Sequence, residues 1–202
     1  MQKMDTKPQA APNPVQGENE RKIFRRDPNP HIFRPITFRS VTARNRIVCS
    51  PMCQYSATDG VPNDWHFQHL GCRAVGGAGI VFAEMTNVEP RGRISPGCLG
   101  LWNDEQRDAF ARIARFVKAQ GAVAGIQLAH AGRKASTMRP WEGGKPLAPA
   151  TGGWPIIGPS PIPFGEGHAV PQEMDEKTIS GVVALFATSA RRAREAGFDV
   201  IE

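Results

Sequence analysis

Strand-like apolar runs at 46–49, 78–85, 122–128 and 198–201 alternate along this chain with helical patterns at 65–75, 104–120 and 175–196. That alternation constrains the fold more than any other feature. Strand followed by helix, repeated with short turns, argues for a parallel sheet with helices packed outside it. The strands are near-continuous in apolar residues, which suits a sheet covered on both faces. Each helical pattern carries a stripe at three-to-four spacing: Phe67, Leu70, Ala74 and Val75; then Phe110, Ile113, Ala114 and Val117; then Ile179, Val182, Val183, Phe186 and Ala190. Asn103 or Asp104 caps the second helix. Gly76-Gly77, Gly121 and Gly197 stand just past the three helix ends. Gly181 lies inside the third helix at some cost in stability.

The remaining segments frame this core. Residues 1–30 are rich in Pro, Gln, Asn and charge and offer little apolar surface, so they are expected to form a disordered polar extension. Residues 31–202 then form one domain. A long Pro- and Gly-rich stretch at 134–173 interrupts the alternation, and a connection of that length in a compact domain serves as a lid, a rim or a partner surface. No G-x-G-x-x-G follows a strand, which disfavours a Rossmann dinucleotide fold.

Composition excludes several classes. The chain has 202 residues, 40% hydrophobic and 22% charged, enough to bury a core and ordinary for a globular protein. No apolar run approaches the roughly 18 residues that span a bilayer, and the polar N-terminus lacks a signal-peptide core. A cytoplasmic location is expected. The net charge of +6 suits anionic ligands such as phosphate or a nucleotide. Nucleic-acid binding requires basic residues gathered with aromatic residues on one face; the one tight cluster, Arg21-Lys22-Ile23-Phe24-Arg25-Arg26, precedes the fold, and a solvated basic surface is expected. Arg191, Arg192 and Arg194 instead sit near a helix C-terminus, where cations suit the dipole. The four cysteines, Cys49, Cys53, Cys72 and Cys98, lack zinc spacing and are read as reduced thiols, with Cys72 a small buried hydrophobe on its helix. His66-x-x-His69 shares a helix face but has no third ligand in sight, so no metal site is expected.

Reactive polar groups cluster just past two strand ends, where parallel β/α folds bind ligands. Cys53 follows Pro51, which ends ladder pairing, so its thiol lies at the mouth of the sheet, touching a ligand or packing the rim. Tyr55, the single tyrosine, is a proton donor or a rim residue. Gln127 is an amide inside an apolar strand and is expected to be buried, bonded either to a flat heterocycle or to backbone. His130 and Arg133 hold an anion or pair with Glu84 or Asp64; Glu84 itself reads first as a buried ion-pair partner. Trp141 and Trp154 form a lid or plug for the long loop.

Taken in order, Arg44-Asn45-Arg46-Ile47-Val48, Ser50-Pro51-Met52-Cys53-Gln54-Tyr55, Gly92-Arg93-Ile94, Gln127-Leu128-Ala129-His130-Ala131-Gly132-Arg133-Lys134 and Ala196-Gly197-Phe198-Asp199-Val200-Ile201-Glu202 resemble the old yellow enzyme family of FMN-dependent ene-reductases. The Ser-Pro-Met-Cys motif is similar to the thermophilic-like subgroup. The resemblance implies a (β/α)8 TIM barrel of which the first four βα units are present. It implies FMN at the barrel mouth, NADPH or NADH as reductant and an activated alkene as substrate. By the same resemblance Ser50, Pro51, Met52, Cys53, Met85 and Gln127 contact the cofactor, and Cys53 and Tyr55 face substrate. Met85 stands where the family usually has a small residue, and would crowd the ring. The family's later substrate-binding histidine motif and proton-donating tyrosine do not appear before Glu202, so a complementing C-terminal half or a second copy is expected, and little activity from the chain alone.

Overall fold

A computed structural model describes residues 30–202. The extension expected over 1–30 lies, but for Pro30, outside the described residues. A short antiparallel hairpin, β1 (Ile36–Phe38) with β2 (Val41–Ala43), comes first. It is followed by β3 (Val48–Cys49), α1 (Asp64–Val75), β4 (Ile80–Asn87), β5 (Leu99–Gly100), α2 (Asp104–Ala119) and β6 (Val123–Ala129), then β7 (Ile157–Gly158), β8 (Gln172–Glu173), α3 (Glu176–Glu195) and β9 (Val200–Ile201). The strands β3, β4, β6 and β9 lie side by side in that order, all parallel, and β5 pairs with the carboxyl end of β4. This is the expected (β/α)8 architecture in part: parallel strands inside, helices outside, no closed ring among the described residues.

The two faces of the sheet separate by alternation. Val81 and Ala83 of β4, with Ala124 and Ile126 of β6, face the helices in the main core beside Leu70, Ala74, Phe110, Ile113, Ala114 and Val117. Ile80, Phe82, Val123 and Val200 face the other way and pack on the hairpin residues Ile36, Val41 and Ala43. The hairpin therefore plugs the amino end of the inner face. Arg44, just after it, donates to the carbonyls of Ala74, Ala78 and Gln120, tying the hairpin to the ends of α1 and α2. Gly125 leaves room on that face for the Phe82 ring, which a β-carbon would approach to 2.6 Å.

The helices conform to the sequence pattern unequally. The α2 stripe is buried as expected, and Asn103 caps the helix with Gln106 in a reciprocal capping box. In α1 the ring of Phe67 packs sideways on Phe116 of α2 at 4.7 Å, so the buried face runs through His66, Leu70, Gly71 and Ala74 and leaves Val75 exposed. Cys72, expected to be buried, is half-buried, its thiol donating to the His69 carbonyl. In α3 only Ser189 and Ala193 are buried, and Ile179 and Val183 stand in the open. The 134–173 stretch contains 3-10 turns and the parallel pair β7–β8 rather than long elements. Among the described residues no helix is long and apolar enough to cross a membrane.

Candidate active site

After β3 the chain turns across the carboxyl end of the sheet, and nearly every group of that turn is tied down. The Gln54 N–H donates to Oε2 of Glu84 at 2.7 Å. The Gln54 side chain donates to the Met52 carbonyl, and the Ser56 hydroxyl to the Gln54 carbonyl. Asn63, which caps α1, donates to the Ser56 carbonyl at 2.7 Å, and Arg139 donates to that of Tyr55 at 2.9 Å. Tyr55 sits at φ 50°, a left-handed conformation unusual for a bulky residue. Its carbonyl lies so near Gly97 that a β-carbon there would come within 2.2 Å. The ring meets Trp141 edge-on at 6.0 Å.

Inside this clamp the Met85 backbone N–H and the Tyr55 hydroxyl lie near enough to the Cys53 sulfur to favour its ionised form. Burial first, then the Glu84 charge, push the Cys53 thiol from 9.0 up to about 11. Burial and the neighbouring Cys53 push the Tyr55 phenol from 10.0 up to about 12. At neutral pH both groups therefore keep their protons and can donate hydrogen bonds to a ligand.

Strand register brings other residues to the same level. Pairing of β4 with β6 breaks after Ala83↔Ile126 and resumes at Thr86↔Leu128, so Met85 lies level with Gln127. Ile126 pairs with Ile201, which sets Gln127 level with Glu202. The Gln127 side chain belongs to the inner face with Val123, and its Nε2 donates to Oε1 of Glu202 at 2.8 Å. The expectation of a buried amide is thus corrected: Gln127 is half-exposed, because the hairpin fills only the amino end of the inner face. Met85 is half-buried, Pro51 likewise, and Ser50 and Met52 are exposed. Cys53, Tyr55 and Met85 meet directly, whereas Gln127 is joined to Glu202.

Several expected pairings fall elsewhere. His130 pairs with Glu89 at 2.8 Å, Arg133 donates to the Ser160 hydroxyl, and Asp64 meets Arg112. Glu84 is the partner of His66, at 3.4 Å. His69 stacks on Trp65. Trp154 donates to the Arg91 carbonyl, and its ring carries the Arg93 guanidinium at 5.1 Å. Sequence reading missed Glu202 and Arg139. The alternation of Val200 and Glu202 on one face was a usable signal for the first; nothing local marks the second.

Comparison with known proteins bears on this arrangement. The profile of the NADH:flavin oxidoreductase / NADH oxidase family matches residues 31–202. The NADPH dehydrogenase of Listeria monocytogenes serotype 4a is 49% identical over 173 residues, 85% of this chain and 47% of the relative. That of a Geobacillus strain, WCH70, is 46% identical over 173 residues, 85% of this chain and 46% of the relative. Among solved structures, morphinone reductase superposes with a TM-score of 0.71 at 26% identity, over 86% of this chain and 47% of that one. The old yellow enzyme of Trypanosoma cruzi does so with a TM-score of 0.71 at 25% identity, over 86% and 50%. The chain spans about half the length of the relatives it matches.

Proposed function

The chain belongs to the NADH:flavin oxidoreductase / NADH oxidase family, and from that premise we propose that it forms the N-terminal half of an FMN-dependent NAD(P)H oxidoreductase of the ene-reductase type. The observation that carries this reading is the row at the carboxyl end of the sheet. Gln127 offers a half-exposed amide on the inner face, level with Met85, whose backbone N–H lies beside the Cys53 thiol. An amide carries both a carbonyl and N–H groups, which match the polar edge of a flat heterocycle. These residues fit FMN.

FMN held there would supply two-electron redox chemistry between NADPH or NADH and an activated alkene. Gln127 would hold the group through its side-chain amide. Ser50, Pro51 and Met52 run alongside on backbone outside the sheet ladder. Met85 would contact the ring and crowd it, a strain its flexible thioether would ease better than a branched side chain. Cys53 and Tyr55, both protonated at neutral pH, direct hydrogen bonds to the oxygen that activates the substrate. The exposed edge of β9, with Ile201 37% exposed, is where further barrel strands pair, from a C-terminal half or a second copy. The four free thiols suit a cytoplasmic setting.

The test is an FMN titration followed by flavin fluorescence. The chain alone is expected to bind weakly and to turn over cyclohexenone with NADPH slowly or not at all. Adding the separately made C-terminal half of the Listeria enzyme is expected to tighten binding. Gln127→Ala then weakens it about tenfold, the value of one lost hydrogen bond. Failure to bind FMN in both conditions overturns the reading.

A further inference from the structure

Glu84 lies at the bulge of β4, 3% exposed. One carboxylate oxygen, Oε2, accepts the Gln54 N–H. The other, Oε1, has no hydrogen-bond partner and faces Nε2 of His66 at 3.4 Å; that nitrogen is equally unpartnered and His66 is 1% exposed. His66 is fixed from its other side: as the third residue of the α1 capping box, its Nδ1 lies 3.1 Å from the Asn63 backbone nitrogen and 3.0 Å from Asn63 Oδ1, which turns Nε2 toward the carboxylate. Two polar side chains buried against one another without a hydrogen bond between them are costly to keep. What distinguishes the position is its target: the peptide held by Oε2 lies between Cys53 and Tyr55.

We propose that Glu84, braced by His66, is a positioning residue for the candidate site, fixing the place of the Cys53 thiol through the Gln54 peptide. The inference rests on the reading of Cys53 and Tyr55 as site residues. Two effects combine. The bond to Gln54 holds a turn whose next residue, Tyr55, is in the left-handed region and springs back if released. The charge acts on the thiol itself. The groups facing Cys53 are Glu84 and Cys98, which oppose its ionisation, and the Met85 N–H and Tyr55 hydroxyl, which favour it. After burial, Glu84 is the largest of these. The sign follows: a buried negative neighbour keeps Cys53 a neutral donor well above its ordinary titration range, whereas a neutral Gln at 84 lets the thiolate form at lower pH.

The experiment needs no flavin. Iodoacetamide alkylation of the full chain is followed against pH, with peptide mass spectrometry separating the four cysteines. In the wild type, Cys53 reactivity is expected to rise with a midpoint near 11, far above 9.0. Glu84→Gln keeps an acceptor for the Gln54 N–H but removes the charge. Cys53 alone then reacts faster at pH 8, by about tenfold for each unit its midpoint falls. Glu84→Ala also releases the turn, so the Gln54 amide exchanges its hydrogen faster, while in Glu84→Gln it stays protected. An unchanged Cys53 profile in Glu84→Gln, or a parallel shift at Cys49 and Cys72, overturns the proposal. Should the variants not fold, the wild type still decides: a Gln54 amide exchanging as fast as an unstructured peptide overturns it, and strong protection supports it. A chain that never binds FMN leaves the alkylation result standing, and a null result at Glu84 leaves the FMN titration standing.

Discussion

The helices α2 and α3 carry apolar stripes of the same kind and meet different fates. Phe110, Ile113, Ala114 and Val117 of α2 are all buried between the sheet and α1. In α3 burial is confined to Ser189 and Ala193, and Val183 is 64% exposed. Polar ties run from α3 to α2, Arg192 to Asp104 at 3.0 Å and Arg107 to Glu195 at 3.4 Å, and the Ser189 hydroxyl donates to the carbonyl of Leu101 just before α2. Exposed ion pairs of that sort contribute little. Periodicity tells which side of a helix is apolar; only the neighbours determine whether that side is covered. The site divides the same way. Cys53 and Tyr55 sit on the α1–α2 side in a turn clamped from several directions, and Gln127 and Glu202 sit toward the β9 edge, held to one another.

The largest predicted effect sharpens this contrast. Phe110 is 0% exposed and meets Phe198 edge-on at 5.6 Å. Phe110→Ala removes that ring from the centre of the main core and is expected to cost about 3–5 kcal/mol, read from the urea midpoint. A loss under about 1 kcal/mol would mean the α2 side is no better packed than α3.

A smaller effect tests the clamp. Gly97→Ala drives a β-carbon to 2.2 Å from the Tyr55 carbonyl, and that atom is backbone, so it cannot swing aside. The expected cost is about 1–3 kcal/mol. The displaced turn should also change the Trp141 environment, because the indole rests on the Tyr55 ring. Tryptophan emission unchanged from wild type would show that the turn tolerates displacement.

Much of this was legible in the chain itself. The parallel order of β3, β4, β6 and β9 follows from the strand–helix alternation, and the turn carrying Cys53 and Tyr55 was placed by Pro51 at a strand end. Local pattern suffices there because period and breakers are short-range properties. The β1–β2 hairpin escaped because strands of three residues carry no period. The pairing of His130 with Glu89, rather than Glu84 or Asp64, escaped because it depends on how a loop of the β4–α2 connection folds back, which no spacing encodes. Gln127 was read as buried because its strand neighbours are apolar. Whether an inner face is filled at its carboxyl end is a property of the whole ring of strands, not of one strand.

The smallest predicted effect is the one that could break the comparison. Val183→Ala on α3 is expected to change the stability of the chain by less than about 0.5 kcal/mol, since an exposed side chain has little contact to lose. If further barrel elements pack against α3, the same substitution acquires a cost only when they are present. Val183→Ala should then weaken association with the C-terminal half, measured by titration calorimetry, while leaving the urea midpoint of the chain alone where it was. A cost of about 1–2 kcal/mol in the isolated chain would place Val183 in a packed environment. The difference between α2 and α3 would then be one of residue size rather than of cover.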